Sequence, residues 1–170
     1  MIFLMIVGFT LLEYGLVRTK NASFILIKNL LISCVVVLAW WLFGYALSYG
    51  DVQMFIGNDP WFFASQGFEQ FNYDNYLKFV LELTYALVCA IAFSLPLAER
   101  TTLKAYLGYV FILVGFIYPA IVAWVWGGGW LAQKGFHDFA GSGVVHMVAG
   151  VSAFWGIVFL GERYGKDKHR

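Results

Sequence analysis

Five apolar segments constrain this chain more than any other feature of its sequence. They lie near residues 2–17, 24–49, 76–98, 103–126 and 139–161. A helix needs about 20 apolar residues to cross a hydrocarbon layer ~30 Å thick, and every segment except the first reaches that length. Of the 170 residues, 61% are hydrophobic and only 12% are charged. The sequence therefore predicts one all-α, polytopic membrane domain whose helices form a bundle.

The short first segment predicts that Met1 is an internal or misassigned start, and no signal peptide is recognisable after it.

The formal net charge is +1, which gives no reason to expect a nucleic-acid partner. Cys34 and Cys89 both fall inside apolar segments, so we expect reduced, packed thiols rather than a disulfide or a metal site.

Basic residues predict how the segments are oriented. If all five segments cross, nine basic residues fall on one side, and only Lys78 and Lys134 fall on the other. The nine are Arg18, Lys20, Lys28, Arg100, Lys104, Arg163, Lys166, Lys168 and Arg170. Positive charge favours the cytoplasmic side, so we expect the N-terminus outside and the C-terminus inside. Residues 50–75 then form an external, weakly acidic loop.

His146 is the only ionisable residue between Phe139 and Leu160. At about 1.5 Å of rise per residue it lies roughly 12 Å below Asp138, near the centre of a bilayer. Three interpretations stay open from the residue type: a packing histidine bonded across helices, a pore or proton-handling residue, and a haem or metal ligand. No other apolar segment contains a histidine, which disfavours a metal site with two histidines from one copy.

Trp126 and Asp138 flank the polar connection before the last segment. Trp126 is followed by three glycines, 127–129, which permit close backbone approach. Its indole could face a cation through its π-system, or it could belong to an interfacial aromatic belt. Asp138 stands where a helix begins, so we expect its carboxylate to cap that helix and to add negative potential at an outer vestibule.

Further polar side chains lie within the apolar segments. Lys78 and Glu82 are four residues apart and are expected to form an ion pair on one helix face. Tyr85 lies one turn further along, with a hydroxyl that needs a partner if it is buried. Glu13 in the first segment is expected to bond a neighbouring helix, and a relay role is the alternative.

Several motifs, in their order and spacing, resemble the ammonium transporter (Amt/Mep/Rh) family. They include 97–100 (Leu-Ala-Glu-Arg), 115–119 (Gly-Phe-Ile-Tyr-Pro), 126–129 (Trp-Gly-Gly-Gly) and the stretch from Asp138 to His146. Similar strings at 8–13, 17–21 and 41–45 extend the likeness toward the N-terminus. The resemblance covers nearly the whole chain and is most specific between Ala98 and Gly150.

The resemblance implies a fold and roles for individual residues. Family members have about eleven spans, with two inverted five-helix halves around a pore, and they form trimers. This chain resembles the first half. Trp126 would line the outer ammonium site, Asp138 would hold that site's architecture, and His146 would be the first of two pore histidines. Tyr85 stands where the family usually has a gating phenylalanine, and Glu82 where it often has glutamine, so we expect the gate to differ from the family pattern.

The function implied is transport of ammonium or ammonia across the plasma membrane, without covalent catalysis, cofactor or metal. The partners implied are the substrate, the lipid bilayer, a missing C-terminal half or partner chain, and two further copies in a trimer. Half of an inverted repeat cannot enclose a midplane site, so we expect no conduction by this chain. An assembly or regulatory subunit without flux is the alternative. An intramembrane haem protein would need a second axial ligand from another copy.

Overall fold

The structure, a computed structural model, describes residues 1–50, 52, 54–57 and 73–163. Five helices dominate this part of the chain. The helices are α1 (Ile2–Leu16), α2 (Thr19–Tyr49), α3 (Tyr73–Ser94), α4 (Leu103–Gln133) and α5 (Ser142–Leu160). A 3₁₀ turn, Leu95–Leu97, extends α3, and the turn at 126–129 interrupts α4. The remaining described residues form turns and one isolated bridge between Val52 and Gly57.

Four of these helices are long and apolar enough to cross a membrane, and α1 is a shorter apolar helix. The predicted all-α membrane bundle is therefore the fold of this protein. The helix ends differ from the expected ones where polar residues continue a helix: α2 begins at Thr19, and α4 resumes at Trp130 after its interruption. Most of the predicted external loop, at 58–72, lies outside the described residues, as do residues 164–170.

Two π-helical turns lie side by side where α2 and α4 pack. They span Trp40–Gly44 and Leu113–Ile117. Pro119 follows the second turn and has no N–H to donate to the carbonyl four residues earlier, which explains why the α-helical ladder of α4 is widened there. Gly44 permits the close approach, because a Cβ atom at this position would lie 3.0 Å from the Val114 carbonyl oxygen.

Large aromatic side chains fill the space between α2, α3, α4 and α5. Trp40 and Tyr118 are fully buried, with ring centroids 5.7 Å apart. Apolar burial gives little driving force between helices in lipid, so close packing and interhelical polar contacts hold such a bundle together.

A buried ion pair joins the first four helices. The Lys28 Nζ atom on α2 lies 2.6 Å from Glu13 Oε1 on α1, and both side chains are fully buried. Lys28 also donates to Ser94 Oγ at 2.9 Å, and its ammonium lies 4.7 Å from the ring centroid of Tyr106 on α4. Asn29 donates to the second oxygen of Glu13 at 2.9 Å. Glu13 thus bonds a neighbouring helix, and Lys28 is an interior residue rather than a loop cation.

Glu99 connects the turns at the other end of the bundle from Trp126. Its Oε1 atom accepts hydrogen bonds from the backbone N–H and the Nε atom of Arg18, each at 3.2 Å, and from Asn21 Nδ2 at 2.7 Å. Burial by itself would raise the pKa of Glu99, but the Asn21 and Arg18 donors outweigh it and hold that pKa below its usual range. The backbone at Glu99 has a φ of 62°, a left-handed conformation that these bonds keep in place.

Candidate functional site

Asp138 organises the connection between α4 and α5. Its Oδ1 atom accepts the backbone N–H groups of Gly141 and Ser142 at 2.8 and 3.1 Å. Its Oδ2 atom accepts those of Gly143 and Val144 at 2.7 and 2.8 Å. Burial would raise the pKa of Asp138, but these four donors prevail and lower it. The carboxylate is therefore ionised and fully engaged at the positive end of α5.

Gly141 shapes the same turn through its backbone. Its φ of 84° lies in the left-handed region, where a side chain would be strained. A Cβ atom here would also lie 2.8 Å from Val145 Cγ2 and 3.4 Å from Trp126 Cη2. A π-helical turn, Ser142–Met147, follows immediately and contains His146. Such turns are often found at functional sites.

Trp126 is fixed at both ends of its indole ring. Its Nε1 atom donates a hydrogen bond to the backbone carbonyl of Asp138 at 2.8 Å. Its ring centroid lies 5.5 Å from that of Tyr85 on α3, with an angle of 45° between the planes. Gly127 allows this position, because a Cβ atom there would lie 2.4 Å from the Ser48 carbonyl oxygen. The half-buried indole is thus held against α3 instead of projecting freely from the bundle.

This arrangement favours a small cation over an anion. The faces of Trp126 and Tyr85 carry negative quadrupole potential, which attracts a cation by about 0.5 to 2 kcal/mol, depending on how dry the site is. Asp138 contributes negative charge nearby, but its oxygens already accept four N–H groups. Asp138 therefore orients the site and is poorly placed to be a direct ligand.

Glu82 lies one turn from Tyr85 and differs from the expected arrangement. The predicted ion pair with Lys78 is wrong: no contact within 4.0 Å joins these two described side chains, and the Lys78 ammonium lies 3.8 Å from the ring centroid of Tyr49 instead. The aromatic face is a nearby binding surface for an ammonium group. Glu82 is 7% exposed, and its Oε2 atom has no hydrogen-bond partner among the described residues. The buried hydroxyl of Tyr49 lies beside this carboxyl, and the hydroxyl of Tyr118 is buried without a partner among the described residues.

His146 lies on an open flank of α5. Its side chain is exposed, and it makes no hydrogen bond to the described part of the chain. Other exposed residues continue this flank: Met147 at 62%, Val151 at 52% and Phe154 at 60%. Within residues 1–50 and 73–163, His146 is therefore not a packing histidine bonded across helices. The imidazole is available to whatever covers this flank.

The thiols and possible metal ligands add little to the site. No group of three or more His, Cys, Asp or Glu residues that could hold a metal ion occurs within the described ranges. Cys89 is buried, but Cys34 is exposed, so the prediction of a packed thiol is wrong for Cys34. Cys34 lies on the outward face of α2.

The structure brings Trp126, Tyr85 and Asp138 together, whereas His146 lies further along α5 on its open flank. Sequence reasoning missed Tyr49, whose ring lies under the Lys78 ammonium, and Gly141, where a side chain would press against the Trp126 ring. The position of Gly141, three residues after the capping Asp138, could have indicated a tight turn there. Together, fold and site define a helical membrane protein with an aromatic pair, Trp126 and Tyr85, beside the Asp138 turn, and a histidine inside an apolar helix.

Comparison with known proteins identifies the family. The sequence profile of the Ammonium Transporter Family matches residues 1–170, and the chain belongs to this family. Among its relatives, ammonium transporter 1 member 3 from Solanum lycopersicum is 39% identical over 175 residues, which cover 98% of this chain and 37% of that protein. Ammonium transporter Amt2 from Archaeoglobus fulgidus is 37% identical over 94% of this chain and 36% of its own length.

Solved structures give the same result for the fold. A structure titled Sensor Amt Protein has a TM-score of 0.89 and 32% identity, over 98% of this chain and 44% of that one. A mutant Mep2 from Candida albicans has a TM-score of 0.74 and 26% identity, over 95% of this chain and 42% of that one. The family predicted from the sequence motifs is confirmed. The chain spans less than half the length of each of these relatives and corresponds to their N-terminal half.

Proposed function

We propose that this chain provides the outer recruitment site and one wall of the pathway of an ammonium transporter. The observation that carries the proposal is the fixed position of Trp126, held between the Asp138 carbonyl and the Tyr85 ring. Membership of the family supports ammonium as the cation. No step of this function requires covalent catalysis.

The pair of rings would act by exchanging hydration for aromatic contacts. Burying an ammonium ion without compensation costs several kcal/mol, and the faces of Trp126 and Tyr85 offset part of that cost. Deeper in the bundle the surroundings become apolar, and an ion would remain unfavourable there. Ammonium that transfers a proton to water at the outer surface, or to the neutral imidazole of His146, becomes ammonia. The ammonia can pass the apolar region with a hydrogen bond to that side chain.

The open flank of α5 supports a role for this chain as one half of a larger assembly. A midplane site in inverted-repeat transporters is enclosed by both halves. His146 and the apolar residues beside it would face the second half, which would supply another pore histidine. We infer that the completed protein is a trimer of such units, as the family resemblance implies.

We also propose that five helices cross the plasma membrane, with the N-terminus outside and the C-terminus in the cytoplasm. Because Lys28 is buried in an ion pair, the basic residues that support this orientation number eight rather than nine, against Lys78 and Lys134. The bias toward one side remains strong. In a Cys34→Ala background, Met54→Cys should react with an impermeant maleimide from outside, and Lys104→Cys only after permeabilisation. Reversed labelling would contradict the proposed orientation.

Complementation tests the transport proposal. In cells that lack ammonium uptake, the chain expressed by itself should not restore growth at low ammonium, whereas co-expression with the C-terminal half of a relative should. Trp126→Leu in the co-expressed chain is the matched variant, and it should weaken rescue most at the lowest ammonium concentration. Full rescue by the chain without a second half would contradict the proposed division of the pathway.

A second candidate function is that of a regulatory or sensing membrane subunit without flux. The high structural similarity to a protein titled as a sensor favours it, together with Tyr85 and Glu82 at positions where the family resemblance implies phenylalanine and glutamine. Binding of methylammonium by the purified protein, with no uptake even when the second half is present, would support this candidate over transport.

A further inference from the structure

A lysine side chain places an ammonium group on an aromatic face near the start of α3. The Lys78 Nζ atom lies 3.8 Å from the ring centroid of Tyr49 at the end of α2, closer than the 4.7 Å between Lys28 Nζ and the Tyr106 ring. Lys78 is exposed, so water competes for its charge, and the ammonium nevertheless lies on the ring. The face of Tyr49 is therefore a surface that a primary ammonium group fits.

A buried carboxyl lies next to this aromatic face. Glu82 is 7% exposed, and the hydroxyl of Tyr49 lies beside its carboxyl. The Glu82 Oε2 atom has no hydrogen-bond partner among the described residues, and no ion-pair contact within 4.0 Å joins Lys78 to it there. A buried carboxylate oxygen without a donor is unfavourable, and a small cation with N–H groups relieves that cost. Glu82 therefore favours positive charge at Tyr49, and Lys78 leaves one of its oxygens without a donor.

The Tyr49 face is separate from the pair formed by Trp126 and Tyr85. Glu82 and Tyr85 are three residues apart on α3, so their side chains lie on the same side of the helix, one turn apart. Tyr85 contacts Trp126 on α4, with ring centroids 5.5 Å apart. Tyr49 instead comes from α2 and packs against Tyr45, with ring centroids 5.3 Å apart. Two aromatic surfaces thus meet the same part of α3, and each receives its second helix from a different side of the bundle.

We propose that the Tyr49 face, together with the Glu82 carboxyl, is a second ammonium-binding site and that Lys78 is its tethered competitor. The inference rests on the proposed function only for the identity of the cation. A free ammonium ion carries four N–H donors, so it can lie on the ring and donate to Glu82 Oε2 together. The Lys78 ammonium has three donors, and its stem holds it on the ring. The site accepts ammonium or methylammonium, because both match the head of the side chain that it holds.

Competition by Lys78 sets the concentration at which this site fills. An exposed contact between a lysine and a ring raises the apparent dissociation constant of a competing cation about threefold to sixfold, the factor that corresponds to ~0.5 to 1 kcal/mol. Lys78 therefore occupies the ring at low ammonium, and the free ion replaces it when ammonium is abundant.

Binding of radiolabelled methylammonium to the purified chain, measured by flow dialysis at constant ionic strength, tests the site. The variants are made in a Trp126→Leu background, which weakens the first site. Lys78→Met should lower the dissociation constant about threefold to sixfold. Lys134→Met is the matched control, because Lys134 is another exposed lysine, with its ammonium 5.2 Å from the ring centroid of Trp130. It removes the same charge and should leave binding unchanged.

Two further variants locate the effect at Tyr49. Glu82→Gln keeps the size of the side chain and should weaken binding at least about tenfold, the effect of ~1.5 kcal/mol for a hydrogen bond to a charged group. Tyr49→Leu combined with Lys78→Met should bind no more tightly than Tyr49→Leu, because the competitor has lost its ring. If Tyr49→Leu does not fold, the Glu82 and lysine variants decide the question.

Three results would each overturn the proposal: equal gains from Lys78→Met and Lys134→Met, a gain that persists without the Tyr49 ring, and unchanged binding by Glu82→Gln. The first site is measured separately, by comparing Trp126→Leu with the wild type. Failure of the Trp126 site and failure of the Tyr49 site therefore give different results.

Discussion

Replacing Asp138 by asparagine should destabilise the turn that holds Trp126. The asparagine keeps one oxygen for Gly141 and Ser142, but it places an NH2 group opposite the N–H groups of Gly143 and Val144. Two hydrogen bonds to a charged group are lost. At the lower end of 1.5 to 3 kcal/mol each, the loss is about 3 kcal/mol, which corresponds to a fall in unfolding temperature of roughly 6–12 °C for a domain of this size.

The assay is thermal unfolding in detergent, followed by the fluorescence of the tryptophans. Lys20→Gln is the control, because it also removes one charge near a helix start, at an exposed position in the first turn of α2. If Asp138→Asn lowers the unfolding temperature no more than Lys20→Gln does, the four N–H contacts do not stabilise the turn and the reasoning is refuted.

The pH dependence of this variant has a definite sign. The pKa of Asp138 is lowered in the folded state, so its stabilisation is complete above the unfolded-state value of about 4 and is lost as the pH falls through the lowered folded value. The difference in stability between wild type and Asp138→Asn should therefore be constant from about pH 5 to pH 8 and shrink below about pH 4. A difference that grows on acidification would show that the ionised carboxylate is not the stabilising form.

Further variants separate the roles of individual side chains, with methylammonium uptake measured in the co-expressed assembly. Trp126→Leu should reduce uptake about fivefold at low concentration and little at saturation, because about 1 kcal/mol of cation–π attraction is lost. His146→Ala should lower flux even at saturation, since it acts on the dehydrated substrate. Tyr85→Phe should keep the ring contact with Trp126 and bring gating closer to the family pattern, so saturated uptake should equal or exceed that of wild type. In thermal unfolding, Lys28→Met should be more destabilising than Lys28→Met combined with Glu13→Leu, because the single change leaves a buried carboxylate unpaired at a cost of about 3 to 5 kcal/mol.

Each of these variants has an outcome that would contradict its reasoning. Trp124 is the control for Trp126, because its Nε1 donates to the Phe55 carbonyl at 2.7 Å and its ring lies away from Tyr85. If Trp124→Leu and Trp126→Leu lower uptake equally, Trp126 has no specific role in binding the cation and belongs to the interfacial aromatic belt. His146→Ala that behaves like wild type at every concentration would leave His146 without a transport role. If the double variant at Glu13 and Lys28 has the same unfolding temperature as Lys28→Met, the unpaired carboxylate is not the cause of the destabilisation.

The fold could be predicted largely from the sequence because membrane-spanning length and apolar composition strongly restrict the helices. The π-helical turns could not be predicted in the same way. Pro119 signals a break in the ladder of α4, but the matching turn at Trp40–Gly44 depends on how α2 meets α4 in three dimensions. The location of Lys28 was also beyond sequence reasoning, because its partner Glu13 comes from a different helix.

For the candidate site, contacts between residues close in sequence could be predicted, and contacts between residues on different helices could not. Asp138 before an apolar run indicates a helix cap, and the structure places four N–H donors on its carboxylate. The contact between Tyr85 and Trp126 joins residues 41 positions apart, and no periodicity within one helix relates them. Lys78 shows the limit of spacing rules, since Glu82 is at the right distance along α3 but an aromatic face from α2 holds the ammonium instead.

The ion pair between Glu13 and Lys28 has a consequence for how the chain enters a bilayer. A charged residue in a lone helix costs up to about 2.5 to 3.5 kcal/mol on insertion when it is at the helix centre, and less nearer an end. Glu13 on α1 and Lys28 on α2 are buried charges of this kind, and each is neutralised by the other helix at 2.6 Å. Insertion of the two helices as a preformed hairpin avoids both penalties, whereas stepwise insertion would expose each charge to lipid in turn. The short turn at Val17–Arg18 joins these two helices directly, so the partner of each charge is the neighbouring helix in sequence.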